Sequence, residues 1–481
     1  MEQGIKRNPK APRQQPVLLP KEVRLEGCGE VCQGLTLAQV QTEALRCLHC
    51  KNPTCVEACP LHIDIKSFIA SVAEHDFSGA LQTIKRNNPF PGICGRVCQH
   101  ESFCEKACLL GTKLQPVAIG LLERFVADQL SPGGTIAPAC SPPKGPRVAL
   151  VGSGPASLMA AYELVCKGYR VSVFEALHEL GGVLSYGIPP FRLPPTVVKQ
   201  EVARLKRLGV AFVTDFLVGS TARIEELFSE GYEAVFLGAG AGLPYLLNVP
   251  GENLVGVSTA NEFLTRLNLM HAYQFPCEGT PVRVGRQTLV VGGGNSAIDA
   301  ARWARRLSSE TTVLFRRGRA ELRARAEEIA LAEEEGVRFE FLAAPVRFLG
   351  DAEGNVREAE CIRMRLGEPD ASGRPSPSPI PGSEYRLSVD TVVVAIGQAP
   401  NPTLQRATPQ LLTRKGRISV DEFGRTSMPN VFAGGDVVRG GSTVVLAMRD
   451  GQVAAEAIDR ALRSGKVQTE TGGRPAAEGP Q

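Results

Sequence analysis

Four cysteines, Cys47, Cys50, Cys55 and Cys59, stand in a C-x2-C-x4-C-x3-C run closed by Pro60. Four more, Cys94, Cys98, Cys104 and Cys108, follow with the spacing C-x3-C-x5-C-x3-C. Thiolates this close on a turn can converge on one face of an iron–sulfur cube, and a terminal Cys-Pro is the place where such a run hands its last ligand to a second cluster. A pair of four-cysteine zinc sites is the alternative, since zinc also uses C-x2-C, though usually as two matched knuckles rather than two unlike sets. Ten of the 14 cysteines lie between Cys28 and Cys108, while Cys140, Cys166, Cys277 and Cys361 are scattered. A secreted disulfide framework would spread its pairs through a shorter chain, so the dense cluster speaks for metal. Cys28 and Cys32, an isolated C-x3-C, read as incidental thiols.

Two glycine-rich turns carry a second kind of chemistry. In VALVGSGPASLMAA, Gly152 and Gly154 follow an apolar run, and Pro155, Ala156 and Ser157 open a helix. The first glycine permits a tight turn, and the second lets a pyrophosphate approach the backbone. The helix N-terminus then offers free N–H groups and partial positive charge. Glu175 ends the next apolar run, 23 residues after Gly152, where an acid can bond a ribose hydroxyl. The second turn, LVVGGGNSAIDAARWARRL, presents Gly292, Gly294, Asn295 and Ala297, but its following strand ends in Arg316 and Arg317. An arginine pair at that position can hold the 2′-phosphate of NADP; a solvated basic edge is the alternative. Near the C-terminus, Gly435 and Asp436 follow an apolar run, and a helix beginning near Thr443 and Val444 can aim its positive end at a flavin ring.

The elements that must position these residues change along the chain. Residues 1–34 are rich in proline and charge and read as an extended arm. Over 35–130 apolar residues recur at helical spacing, as in Ile65, Phe68, Ile69 and Val72, with cysteine-bearing turns between. Residues 131–146 have the composition of a linker. Strand–helix–strand units follow at Val148 to Phe174 and Thr288 to Phe315, with buried strands predicted at Ala234 to Leu237 and Thr391 to Ile396. Segment 368–383 reads as a surface loop and 464–481 as a disordered tail. The formal charge of +4 over 481 residues points to neither nucleic acid nor an anionic membrane. No stretch approaches the ~20 apolar residues of a membrane span. The basic, proline-rich start lacks the apolar core of a signal peptide, so a cytoplasmic protein is expected.

Together these motifs resemble the small subunit of NADPH-dependent glutamate synthase. They are equally similar to the large subunit of NADH-dependent reduced ferredoxin:NADP oxidoreductase, and the N-terminal part resembles dihydropyrimidine dehydrogenase. The resemblance runs from about Leu35 to Leu462, most specifically in CLHCKNPTCVEACP, CGRVC, GGVLSYGIPPFRLP and GGDVVRGGSTVVLAM. It departs at Ser157, where relatives have glycine, and at Arg323, where many have proline.

The resemblance implies an α/β fold with two Rossmann-like dinucleotide-binding domains. An FAD domain (147–260 and 397–463) is interrupted by an NADPH domain (261–396) and preceded by an α-helical domain with two [4Fe–4S] clusters. By analogy Cys47, Cys50, Cys55 and Cys108 hold one cluster, and Cys59, Cys98, Cys104 and Glu123 the other. Cys94, which counting alone would choose as the eighth ligand, is then spare. Gly182 and Arg192 fall in the run that relatives place near the flavin. Hydride transfer needs alignment rather than an acid–base pair, so no acid–base catalyst is nominated. The expected activity is transfer of hydride from NADPH to FAD and of single electrons onward. The expected partner is a larger glutamine-dependent synthase subunit, or else a smaller flavoprotein or ferredoxin in a transhydrogenase. A non-catalytic redox sensor is the reading from another class.

Overall fold

The computed structural model describes residues 7–129, 143–370 and 373–464. The expected linker at 131–146 and the expected tail at 464–481 lie almost wholly outside the described residues, as does Cys140.

The N-terminal unit is a cluster of short helices. Helix Leu37–Ala44 opens with a capping box, in which Thr36 and Gln39 satisfy each other's backbone N–H groups. Asp64 and Asp76 cap helices Ile65–Ala73 and Phe77–Lys85 by accepting from Ser67 N at 3.1 Å and Gly79 N at 2.8 Å. The stripe Ile65, Phe68, Ile69 and Val72 is buried, in one core with Ile119, Leu122 and Val126 of helix Ile119–Gln129. Helix Pro91–Val97 crosses that helix closely: a Cβ on Gly95 would stand 2.7 Å from the Arg124 backbone.

The arm is not free. Arg46, paired with Glu43 at 2.6 Å and buried with it, donates to Ala11 O at 2.8 Å, and Glu43 accepts from Gln14 N at 2.7 Å. Val17–Leu18 then pairs antiparallel with Cys32–Gly34, and Lys21–Glu26 is helical. A buried ion pair thus satisfies backbone groups of a segment too polar to build a core of its own.

Two five-stranded sheets, each wholly parallel, dominate the rest, with a four-stranded antiparallel sheet beside them. The first has the order Val431–Ala433, Ala234–Leu237, Arg147–Val151, Arg170–Phe174, Ala211–Val213. The second has the order Arg338–Phe341, Glu310–Phe315, Gln287–Val291, Thr391–Val394, Val257–Thr259. Their central strands are buried on both faces, as parallel sheets require, which is why Ala234–Leu237 and Thr391–Val394 are continuous apolar runs. The second sheet is inserted between strands of the first. Strand Val257–Thr259 belongs to the second sheet, so the chain crosses over before residue 257 rather than after 260.

Segment 368–383 is not a plain loop. Strand Val356–Pro369 continues into it and pairs with Pro375–Pro379. The prolines there mask the strand signal in the sequence; they are tolerated because this ribbon lies at an edge. Among the scattered cysteines, Cys361 is buried, Cys277 exposed, and Cys166 disulfide-bonded at the end of its helix remote from the Gly152 turn.

Candidate functional site

The cysteines ring two adjacent cavities, and the assortment is crossed. Cys47, Cys50, Cys55 and Cys108 line one, with Ile65, Ile69, Val117 and Ile119. Cys59, Cys94, Cys98, Cys104 and Glu123 line the other, with Ile63, Phe68 and Val445. Ile65 and Ile119 face both, so the cavities stand back to back. Cys59 and Cys108, each the last of its run, therefore serve the cavity of the opposite set. Among the described residues, no group of three such side chains converges as the ligand set of a single ion would. Burial pushes the Cys55 thiol up to about 12, with Cys108 and Cys47 adding to it, and also raises Cys94, Cys98 and Cys104. Only a cation would hold such thiols as thiolates. Thiol donors around aliphatic walls fit an iron–sulfur cluster in each cavity. Cys28 and Cys32 line neither.

Glu123 is 3% exposed, not solvated as an acid on a helix usually is. Its Oε1 accepts from Asn88 Nδ2 at 2.7 Å, and His100 Nε2 lies 3.7 Å from Oε2. Cys94 Sγ donates instead to Met448 Sδ at 3.6 Å. With His100 also on its wall, the second cavity thus has six candidate donors where a cube takes four. Asn88 and His100 escaped the sequence reading; the Asn-Pro at 88–89 marks a turn but not a role.

The two glycine turns have the same construction. Strand Arg147–Val151 leads into helix Pro155–Cys166, and strand Gln287–Val291 into helix Asn295–Arg306. Gly152 has φ +88°, and a Cβ there would meet Gly238 O at 2.7 Å; on Gly292 it would meet Ala395 O at 2.2 Å. On Gly154 and Gly294 it would meet nothing within 4 Å. The first glycines are required by the fold, and the second face open space at a helix N-terminus, the cradle a pyrophosphate would fill. Ser157, the departure from the usual glycine, is accommodated from across the sheet, since a Cβ on Gly238 would stand 2.2 Å from its Oγ.

Glu175 is fixed at the first turn, accepting from Ser153 N at 2.8 Å and Ser153 Oγ at 2.6 Å. Asp436 accepts from Ser442 N and Oγ. Burial raises the Tyr186 hydroxyl to about 12, and the Asp436 and Glu175 carboxylates add to it, which puts both acids near that ring, in the expected flavin cleft. Gly182 packs against Gly154, where its Cβ would stand 2.8 Å from Cα. Helix Val444–Ser464 starts beside the cleft, with Thr443 Oγ1 accepting from Leu446 N. It lies so close to the first phosphate helix that a Cβ on Gly451 would stand 2.0 Å from Ala156 O. The same helix supplies Val445 to the second cysteine cavity and Met448 as the partner of the Cys94 thiol.

Two arginine expectations change. Arg316 is exposed, but Arg317 is buried, donating to Pro375 O at 2.9 Å and to Asp370 at 2.7 Å. Arg317 anchors the 356–379 ribbon. The ribbon brings Arg374 to the same region, where burial, then Arg323, Arg317 and Arg316, lower its affinity for its proton. Arg192, expected near the flavin, is committed to Asp299 at 2.6 Å and Glu328 at 3.1 Å on the nucleotide side. Arg302 and Arg306 extend this buried network through Glu335. Burial would raise the Glu328 carboxyl, but Arg192, Arg302 and Arg325 outweigh it and hold it at about 2.

Fold and site define a two-dinucleotide oxidoreductase fused behind a thiol-rich cluster unit. Residues 24–134 match the family model of dihydropyrimidine dehydrogenase domain II, 4Fe-4S cluster, and residues 146–451 that of pyridine nucleotide-disulphide oxidoreductases. The chain is 36% identical to the glutamate synthase [NADPH] small chain of Halomonas elongata, over 93% of this chain and 96% of that one. It is 38% identical to the beta subunit of the NADP(+)-dependent formate dehydrogenase of Moorella thermoacetica, over 85% of this chain but only 60% of the relative's length. The structure of Mycobacterium tuberculosis FprA in complex with NADPH shares the fold, with a TM-score of 0.55 at 22% identity over 68% of this chain and 88% of that one. The chain belongs to the glutamate synthase small-chain family, and it spans under two thirds of the length of several other relatives it matches. The zinc alternative falls with the match to a 4Fe-4S family. Among the described residues no helix is long and apolar enough to cross a membrane.

Proposed function

We propose that this chain draws hydride from NADPH and delivers electrons singly to a larger glutamine-dependent synthase subunit. The observation that carries the route is the shared helix Val444–Ser464, which borders the Asp436–Tyr186 cleft at one end and lines the second cysteine cavity with Val445. When bound, FAD and the clusters supply the conversion of a two-electron hydride into single electrons. The residues do the positioning. The Gly154 and Gly294 turns cradle the two pyrophosphates. Glu175 and Asp436 orient the flavin's sugar and ribityl hydroxyls. Arg316, with Arg323 and Arg374, favours the 2′-phosphate. Cys59, Cys98, Cys104 and Glu123 hold the cluster beside the flavin cleft, and Cys47, Cys50, Cys55 and Cys108 the outer one, whose rim includes exposed Leu48 and Leu109. The near-full-length match to a glutamate synthase small chain supports the choice of partner.

Anaerobically purified protein is expected to carry about eight iron and about eight sulfide, the content of two cubes. Cys47→Ser should lose roughly half of both and keep FAD, because the flavin turn lies in another unit. NADPH oxidation with an artificial acceptor tests turnover, and co-elution with a synthase subunit tests the partner. Absence of NADPH-dependent reduction of the bound flavin would sink the reading.

A further inference from the structure

We infer that Asn88 is the positioning residue that selects Glu123 over Cys94 as the ligand of the inner cluster. The inference rests on the proposed ligand set and concerns how this chain enforces it. Asn88 is fully buried, and its own backbone is pinned, its N–H donating to Ile84 O at 2.9 Å. Its side-chain oxygen accepts from Phe90 N at 3.0 Å, which fixes the orientation of the amide. The amide nitrogen must then point away from Phe90, and it donates to Glu123 Oε1 at 2.7 Å. Oε2 then has only His100 Nε2 beside it, at 3.7 Å and beyond hydrogen-bonding distance, and both side chains line the inner cavity. One amide donor and an imidazole at 3.7 Å are poor compensation for a buried carboxylate, and a cation in the cavity would complete it.

Cys94 lies within reach of the same amide, yet its thiol is directed at Met448 on the helix bordering the flavin cleft. These two donors of the cavity are thereby sorted. The carboxylate is tethered at one oxygen, and the thiol points to Met448 and bridges two helices. Sequence counting favoured Cys94 because it cannot register an amide 35 residues from Glu123.

The test is an exchange of donor and acceptor in the full chain, purified anaerobically. Asn88→Asp keeps the oxygen that accepts from Phe90 N, but replaces the donated hydrogen bond with like-charge repulsion. It should lose the inner cube, with iron falling from about eight to about four per chain and one of the two reduced-cluster EPR signals disappearing. FAD and the outer cluster's signal should stay. Adding Glu123→Gln restores a donor–acceptor pair of the original net charge, and the double variant should regain the lost signal. Should Asn88→Asp fail to retain flavin, Asn88→Ala is read the same way, by a shifted or missing inner-cluster signal. Wild-type iron and an unshifted EPR spectrum in Asn88→Asp would overturn the inference. So would loss in the single variant without recovery in the double, which marks a packing role. The ligand reading itself fails differently: Cys94→Ala would lose a cube while Glu123→Ala kept both.

Discussion

Residues of one type divide here according to what burial leaves them. Arg316 and Arg317 are adjacent in sequence, but only Arg316 is exposed, while Arg317 spends its guanidinium on Asp370 and Pro375. Arg316→Ala should therefore raise KM for NADPH far more than for NADH. A lost charge-assisted bond to phosphate is worth roughly 1.5–3 kcal/mol, or about ten- to a hundredfold. Arg317→Ala should affect both nucleotides alike and lower the melting temperature, because it frees the ribbon. Steady-state kinetics with both nucleotides separates the two; equal KM ratios in Arg316→Ala would assign the phosphate to other groups. The cysteines divide in the same way. Eight look equivalent by spacing, yet the cavity containing Cys94 has further donors in Glu123 and His100, so equivalence in sequence is not equivalence in the fold.

At the scale of elements, the closest approach in the site is between two helices rather than within a turn. Gly451 lets helix Val444–Ser464 rest on Ala156 at the start of the first phosphate helix. Gly451→Ala inserts a methyl where there is no room, and such overpacking costs about 1–3 kcal/mol. The helix must shift, and the flavin cleft and the inner cavity share it. The expected outcome is a lowered FAD-to-protein ratio and a changed inner-cluster EPR signal, with the outer cluster unaffected. An unchanged flavin content after gel filtration would show that the helix contact is slack. In the cluster unit, Phe68 packs in the stripe whose helix also carries Ile65, which borders both cavities. Phe68→Ala should cost roughly 3–5 kcal/mol and leave clusters more labile to chelators, measured as the rate of iron release.

For the whole molecule, the buried network of Arg192, Asp299, Glu328, Arg302 and Glu335 ties the flavin-side run, through Arg192, to the nucleotide unit. Removing one partner from such a set leaves uncompensated charge and costs about 3–5 kcal/mol. Arg192→Leu should thus lower the melting temperature without abolishing FAD binding. The protein carries its own reporter. Trp303 is the single tryptophan, is buried, and stands 5.4 Å from the Phe191 ring next to Arg192. Its fluorescence should shift to the red in Arg192→Leu as the units loosen. An unshifted spectrum with an unchanged melting temperature would mean that the network does not hold the units together.

Much of this protein was legible as sequence because its signals are local. Turn glycines, apolar runs, N-caps and cysteine spacing all act within a few residues, where backbone sterics and chain connectivity leave little choice. The two parallel sheets and the helical cluster unit follow from those signals, with the family resemblance supplying the order in which they nest. What only the tertiary structure decided depends on groups distant in the chain. Asn88 meets Glu123, Cys94 meets Met448, Arg192 meets Asp299, and a proline-rich ribbon takes Arg317 from the nucleotide edge and brings Arg374 toward it. In each pair, burial makes a lone polar group or thiol costly and a specific partner worth having. Which partner it finds is set by how helices and sheets pack, and no spacing rule along the chain records that.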